Sequence, residues 1–461
     1  MFRSRYCLAI LACGSLLLAG CASVGVERSR SEVNAWLAPR LGAASAVQGA
    51  ADPAQRAAQL QTWLAQPLDA DTALRIALLR NPQIQIEYAR LGLVAADVFE
   101  AQRLSNPSLS LSVLGGGASG RKVEAGLALG FTDLLWLPAR RRLAARQQVI
   151  EQQRVAAAIL DLALNVQAAW IEAVSAAQQL AIRDGIVAAA QTGSDLAQSY
   201  RNAGNIDALA LLTRQIALSE AQLAQQRASS ELAAARARLQ QLMGLDATQS
   251  WTLREGLPDL DATLPDFTAW REQAQQRSDL QAARQEVEAL RAQLRSTQRL
   301  RAVGASSVGV QSERENGVTR TGPSISLALP LFQQGQGAVL RAQSELQQGE
   351  ARAQQLGEQI DAQLQTQLQR MQSAQQQFAL YRGTLIPLHE QLVARLAEQQ
   401  NFMLIGPFEG MVARQQQYEA YEGAIDAARS YWLARIELSR LGGAALPALR
   451  SPADSNDEVQ P

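Results

Sequence analysis

Side chains that carry most protein chemistry are scarce in this sequence, and their positions limit what it can do. Its 461 residues include three cysteines and one histidine. Cys7, Cys13 and Cys21 all lie at the extreme N-terminus, so no disulfide framework and no thiolate zinc site can form further along. His389 has no clustered ligand partner and reads as part of a solvated helix face. With one histidine, Ser-His-Asp and Cys-His arrangements are nearly excluded on inventory, H-E-x-x-H is absent, and neither a Walker loop nor G-x-S-x-G appears. No catalytic residue, no metal site and no cofactor beyond a covalent lipid is expected, and the chain reads as no enzyme. The 43 basic residues balance 43 acidic ones, which argues against a nucleic-acid partner, since such partners are usually held by a basic excess that releases counterions.

The cysteine with a chemical role is Cys21. Arg3 and Arg5 precede an apolar run, Leu8 to Leu18, that is too short to span a bilayer. The run ends in Leu18-Ala19-Gly20-Cys21, which resembles the bacterial lipobox. That implies removal of residues 1–20 as a signal peptide and acylation of Cys21 on its thiol and new amino group. An ordinary signal peptide with a chance cysteine is the plainer alternative. Ala22 stands where inner-membrane retention would favour Asp, so the resemblance points to the outer membrane. Acyl chains add roughly 0.8 kcal/mol per buried methylene, enough for several of them to hold the protein on a membrane.

Past an acylated lead of residues 21–67, the chain repeats itself. Arg80-Asn81-Pro82-Gln83 is answered by Arg277-Ser278-Asp279-Leu280, and Asn106 to Leu114 by Ala305 to Gln311. Leu127-Ala128-Leu129-Gly130-Phe131 is answered by Leu327-Ala328-Leu329-Pro330-Leu331. Tyr200-Arg-Asn-Ala-Gly204-Asn-Ile206 is matched to Phe402-Met-Leu-Ile-Gly406-Pro-Phe408. This order predicts two similar halves, residues 68–245 and 266–443, joined by a linker over 246–265 and followed by a disordered tail over 444–461. Each half reads as helix, two short strands, very long helix, Gly turn, helix.

The strands show a period of two. Leu109, Leu111 and Val113 alternate with serines, and Val123, Ala125, Leu127, Leu129 and Phe131 alternate with Glu124, Gly126, Ala128 and Gly130. Ile325, Leu327, Leu329 and Leu331 form the apolar face of the last strand. Loops are expected over Gly115 to Arg121 and Glu313 to Thr321. Segments of about 9 or 10 residues suit tilted transmembrane strands, although alternation equally fits two hairpins packed on a soluble core. In hydrocarbon, four strands leave two open edges, so copies must pool their strands into a closed barrel. Two copies would make eight strands with a filled interior and three would make twelve with a lumen. The small Ser, Gly and Ala of the second face favour three.

The remainder is helical. From Pro138 to about Ala203 only Gly185 and Gly193 interrupt the pattern, a length of roughly 100 Å at 1.5 Å per residue. Gln333 to about Ile405 is the counterpart. Such lengths call for coiled-coil pairing. Pro138 is placed in the first helical turn, and Pro387 would kink its helix unless a local break absorbs it.

This constellation resembles the outer-membrane efflux channel family typified by TolC, over about residues 68–443. The segment Gly322 to Phe332, followed by Gly335 and a helix start, is similar to the best-marked stretch of that family. The resemblance implies a mainly α fold with a membrane β-barrel part: a homotrimer with a 12-stranded barrel in the outer membrane over a 12-helix periplasmic α-barrel. It further implies a periplasmic adaptor and an inner-membrane pump as partners, with passive export of drugs, metal ions or other toxic compounds. Phe131 and Trp136 would then join an interfacial aromatic belt, and Arg140, Arg141 and Arg142 would meet lipid headgroups. Gly204 and Gly406 would turn the chain at the periplasmic tip, where Asp207 and Glu409 would ring the aperture with carboxylates and favour cations. The family often places its gating acids about six residues beyond the glycine, where this chain has Ala210 and Val412. The competing reading is a structural or adaptor-type periplasmic coiled-coil lipoprotein without a pore.

Overall fold

The computed structural model describes residues 26–42, 44, 53–115, 121–261, 266–300, 306–315, 317–329 and 331–449. Cys21, the signal segment and the first hairpin loop lie outside the described residues. In chain order the elements are α1 (Val26–Leu41), α2 (Pro53–Leu64), α3 (Ala70–Arg80), α4 (Pro82–Ala101), β1 (Ser108–Gly115), β2 (Arg121–Gly130), α5 (Phe131–Asn202) and α6 (Ala208–Met243). The second half adds α7 (Phe267–Ala274), α8 (Ser278–Leu300), β3 (Ser306–Glu315), β4 (Val318–Leu327), α9 (Gln336–Leu380), a π-helical turn (Tyr381–Leu385), α10 (Ile386–Asn401) and α11 (Pro407–Gly442). The lead over residues 21–67 contains α1 and α2.

The boundaries have local causes. Asp69 caps α3 by accepting from the Thr72 amide at 2.7 Å. Pro82 holds Asn81 extended at φ −65°, ψ 121° and so ends α3. Asn81 then serves both neighbours: its Oδ1 accepts from the Gln83 amide, and its Nδ2 donates to the Leu242 carbonyl at 2.7 Å. Gly244 closes α6 in the left-handed region at φ 66°, against the Arg80 backbone, where a Cβ would sit 2.8 Å from the Arg80 carbonyl oxygen.

The chain divides into two compact units, and neither coincides with a sequence half. The first takes residues up to 33 together with 88–152 and 284–350; the second takes 34–87, 153–283 and 351–461. Each therefore draws on both halves. In the first unit the strands form one antiparallel sheet in the order β1-β2-β3-β4, and helical residues Leu91, Ala95, Val98, Ile150 and Val287 are buried. The second unit holds most of the core, where Val155, Ile159, Leu164, Trp170 and Ile171 of α5 are buried with Leu74 and Ile76 of α3 and Tyr431 and Trp432 of α11. The inter-half linker lies on this core: Leu68 and Leu253 form a parallel bridge, Trp170 Nε1 donates to the Leu68 carbonyl, and Trp432 Nε1 donates to the Pro258 carbonyl.

Several expectations need correction. The helix after β2 starts at Phe131 and runs 72 residues, so Pro138 sits inside it and not in its first turn. The second hairpin keeps pairing out to Glu315↔Val318, so most of the loop expected over Glu313 to Thr321 is strand. Strand β4 stops at Leu327, and the Leu331 amide bonds back to the Leu329 carbonyl at 2.9 Å, so Leu329 and Leu331 lie beyond the sheet. At Pro387 the break takes a definite form: the five-residue π turn immediately precedes α10, which widens the ladder where the proline cannot donate. The tail begins later than residue 444, because the Leu446 amide donates to the Arg40 carbonyl and Gln167 Nε2 to the Pro447 carbonyl.

Candidate functional site

Register sorts the sheet into two chemically distinct faces. Leu109 pairs with Leu127, Leu127 with Val310, Leu129 with Val308, and Val308 with Ile325. These residues share one face with Leu111, Val113 and Leu327, and all are exposed, Leu109 at 78% and Ile325 at 69%. An apolar face this large and uncovered is not the packed face of a soluble hairpin pair. The opposite face carries Ser108, Ser110, Gly126, Ala128, Gly309, Ser324 and Ser326, again in register. Among the described strands β1 and β4 have one neighbour each, so the sheet has two free edges.

Toward the hairpin ends the small-residue face becomes charged. Glu124 lies directly opposite Glu313, and Glu313 opposite Arg320. Lys122 reaches both carboxylates, with Nζ 2.7 Å from Glu124 Oε1 and 3.2 Å from Glu313 Oε1. Alternation along β2 is enough to place Glu124 on this face, but its partners depend on the β2–β3 register between the two halves, which no local pattern carries.

At the other end of the strands are the residues expected at a membrane interface. Phe131 opens α5 and is 46% exposed. Trp136 and Arg140 are half-buried, and Arg142 is exposed. The arginines sit in the third turn of α5, clear of its positive N-terminus. Arg140 Nη2 donates to the Asp133 carbonyl at 3.3 Å. Arg141 donates twice to the Gln102 carbonyl, at 2.7 and 3.0 Å, just past the C-terminus of α4, where a cation meets the negative end of a helix.

The two turns that join long helices to their successors share one backbone design with different residues. After α5 the Asn205 amide bonds to the Tyr200 carbonyl at 2.9 Å, and Gly204 takes φ 77°. After α10 the Leu404 amide bonds to the Gln399 carbonyl at 3.0 Å, and the left-handed residue is Met403, at φ 54°. Gly204 therefore corresponds to Met403, and Gly406 corresponds to Asp207. Gly406 has φ −72° and ψ 159° and begins α11 as Asp207 begins α6. This corrects the pairing of Gly204 with Gly406, an alignment that matched residue type where the backbone matches three residues earlier. Asp207 accepts from the Ala210 amide at 2.8 Å as a helix cap, whereas Glu409 is in the first turn of α11 and exposed. In the corrected register Glu409 stands six residues past the left-handed residue. The turns meet through Tyr200 and Phe408, whose rings cross edge to face at 6.1 Å, and Arg214 lies over Phe408 at 4.7 Å.

Behind the turns α5 receives α11 closely. Gly185 makes room for the Tyr418 ring and Gly193 for Met411 Sδ, where a Cβ would fall 2.9 Å from the sulfur. Arg183 and Glu422 form a two-pronged ion pair at 2.6 and 2.7 Å. Burial of the Glu422 carboxyl holds it above the usual carboxylate range, against the pull of Arg183. The signal available in the sequence was the two glycines inside an otherwise unbroken helix.

No family model matches the chain, and no curated protein sequence does. Solved structures do. A membrane protein of Pseudomonas aeruginosa superimposes with a TM-score of 0.70 at 16% identity over 83% of this chain and 94% of that one. The CmeC outer membrane channel of Campylobacter jejuni gives 0.69 at 13% identity over 84% and 88%. The chain has the fold of the TolC-like outer-membrane channels. The open state of the MtrE outer membrane channel of Neisseria gonorrhoeae agrees, with 0.64 at 15% identity over 82% of this chain and 89% of that one. CmeC and MtrE are outer membrane channels.

Proposed function

We propose that this chain is the outer-membrane channel subunit of a tripartite efflux system. Three copies would join β4 of one to β1 of the next, closing a twelve-stranded barrel with its apolar face toward lipid and its Ser, Gly and Ala face toward a wet lumen. The long helices of the three copies would form the periplasmic α-barrel. Acyl chains on Cys21 would anchor each copy to the inner leaflet, beside headgroups met by Arg142 and an aromatic belt at Phe131 and Trp136. The turns at Gly204 and Gly406 would face a periplasmic adaptor and, through it, an inner-membrane pump, with Asp207 and Glu409 at the aperture. Export would be passive for the duct itself, with small toxic molecules, drugs or metal ions among its cargo.

The observation that carries this reading is the four-stranded sheet with an exposed apolar face and two unpaired edges, a surface that water does not suit and lipid does only once closed. The test is electrical. Purified protein added to a planar bilayer is expected to produce discrete, uniform conductance steps. A bilayer that takes up the protein and stays silent would overturn the channel.

A further inference from the structure

Among the 43 basic residues of the chain, Lys122 is the one lysine; every other is arginine. It stands at the hairpin end of the sheet's small-residue face, where it spans both halves of the chain by bonding Glu124 of β2 and Glu313 of β3. Directly opposed like charges on neighbouring strands are unfavourable, and Glu124 and Glu313 are such a pair. The rest of that face avoids charge: the next rows down hold Gly126 beside Gln311, then Ala128 beside Gly309. Glu315, opposite Lys122, and Arg320, opposite Glu313, complete the charged band. Per chain it sets two cations against three carboxylates.

We infer that this band is an outer charge filter of the pore, separate from the tip, and that Lys122 tunes it by neutralising one of two carboxylates that would otherwise face each other across the strands. The inference rests on the channel reading above. Rings of carboxylates favour cations and rings of Lys or Arg favour anions. With small side chains below it, the band would be the part of the lumen wall where permeating ions meet fixed charge. Because the hairpin ends lie at the opposite end of the strands from the helix junctions, the filter would act at the exit mouth.

The test is the reversal potential of single channels in a potassium chloride gradient. Lys122→Met leaves Arg320 as the band's one cation against three carboxylates and should move the reversal potential toward that of potassium. Glu124→Gln with Glu313→Gln should move it toward that of chloride, and Lys122→Arg, which keeps the charge, should leave it in place. A membrane-impermeant acetylating reagent supplies a second route with the unaltered, already folded protein, because Lys122 is its one lysine. Acetylation there, located by peptide mass, should reproduce the Lys122→Met shift. Conducting channels whose reversal potential ignores both the substitutions and the acetylation would overturn the filter and leave the channel standing. A parent protein that conducts nothing would remove both.

Discussion

Asp207 and Glu409 carry the same charge, yet the chain uses them differently. Asp207 is already committed as the cap of α6 through its bond to the Ala210 amide, while Glu409 has its carboxylate free of any capping duty. A cap replaced by Ala loses about 1 kcal/mol, whereas Asn retains the acceptor. Asp207→Asn with Glu409→Gln should therefore lower cation preference in bilayers at unchanged thermal stability, and Asp207→Ala should in addition loosen the first turn of α6 in hydrogen exchange. Unchanged ion preference in the Asn/Gln protein would take both acids away from the constriction. Glu422 allows a pH experiment. An acid whose carboxyl is raised on folding binds protons more readily in the folded state, so its contribution favours folding at low pH and declines as pH climbs through the ordinary carboxylate range to the raised value. Relative to Glu422→Gln, the parent should lose stability over that window in thermal melts. The opposite slope would mean that attraction to Arg183 outweighs burial. At this scale the sequence was only partly legible. Both turns could be located, but Met403 in a left-handed conformation could not be foreseen, since bulky side chains are disfavoured there and the neighbouring Gly406 drew the alignment.

Among the elements, the strands were the most readable, because a period of two along β1, β2 and the end of β4 sorts their residues into two faces, although the register between the halves is not written in it. Leu111 and Ser110 are adjacent in β1 and point to opposite faces. With the apolar face toward lipid, Leu111→Arg puts a charge in hydrocarbon at about 2 to 4 kcal/mol near the bilayer centre, while Ser110→Arg puts one in water. Heat-resistant, membrane-inserted protein should fall sharply for the first and persist for the second, with reduced conductance. Equal insertion of both would deny the face assignment. The helices were harder to bound than to find. Pro138 is the eighth residue of α5, because the helix follows β2 directly at Phe131 and the proline does not mark its start. The π turn before Pro387 was foreseeable only as a break of some kind, because its form depends on packing: Tyr381 fills the space left by Gly423, where a Cβ would meet the ring at 2.4 Å.

On the scale of the whole molecule, the sequence reads as two similar halves, while the division into compact units was not legible in it. Each unit gathers segments from both halves, since one sheet is shared by two hairpins some 200 residues apart in sequence, and no local pattern records which distant segments pair. The same sheet sets the central claim. Two edges and an uncovered apolar face within a single chain leave backbone groups that only further copies can satisfy in lipid. The most direct measurement is the native mass of the protein extracted from membranes in detergent. A twelve-stranded barrel requires a single species of three chains, and a uniform population of single chains, stable in detergent and in lipid, would contradict it.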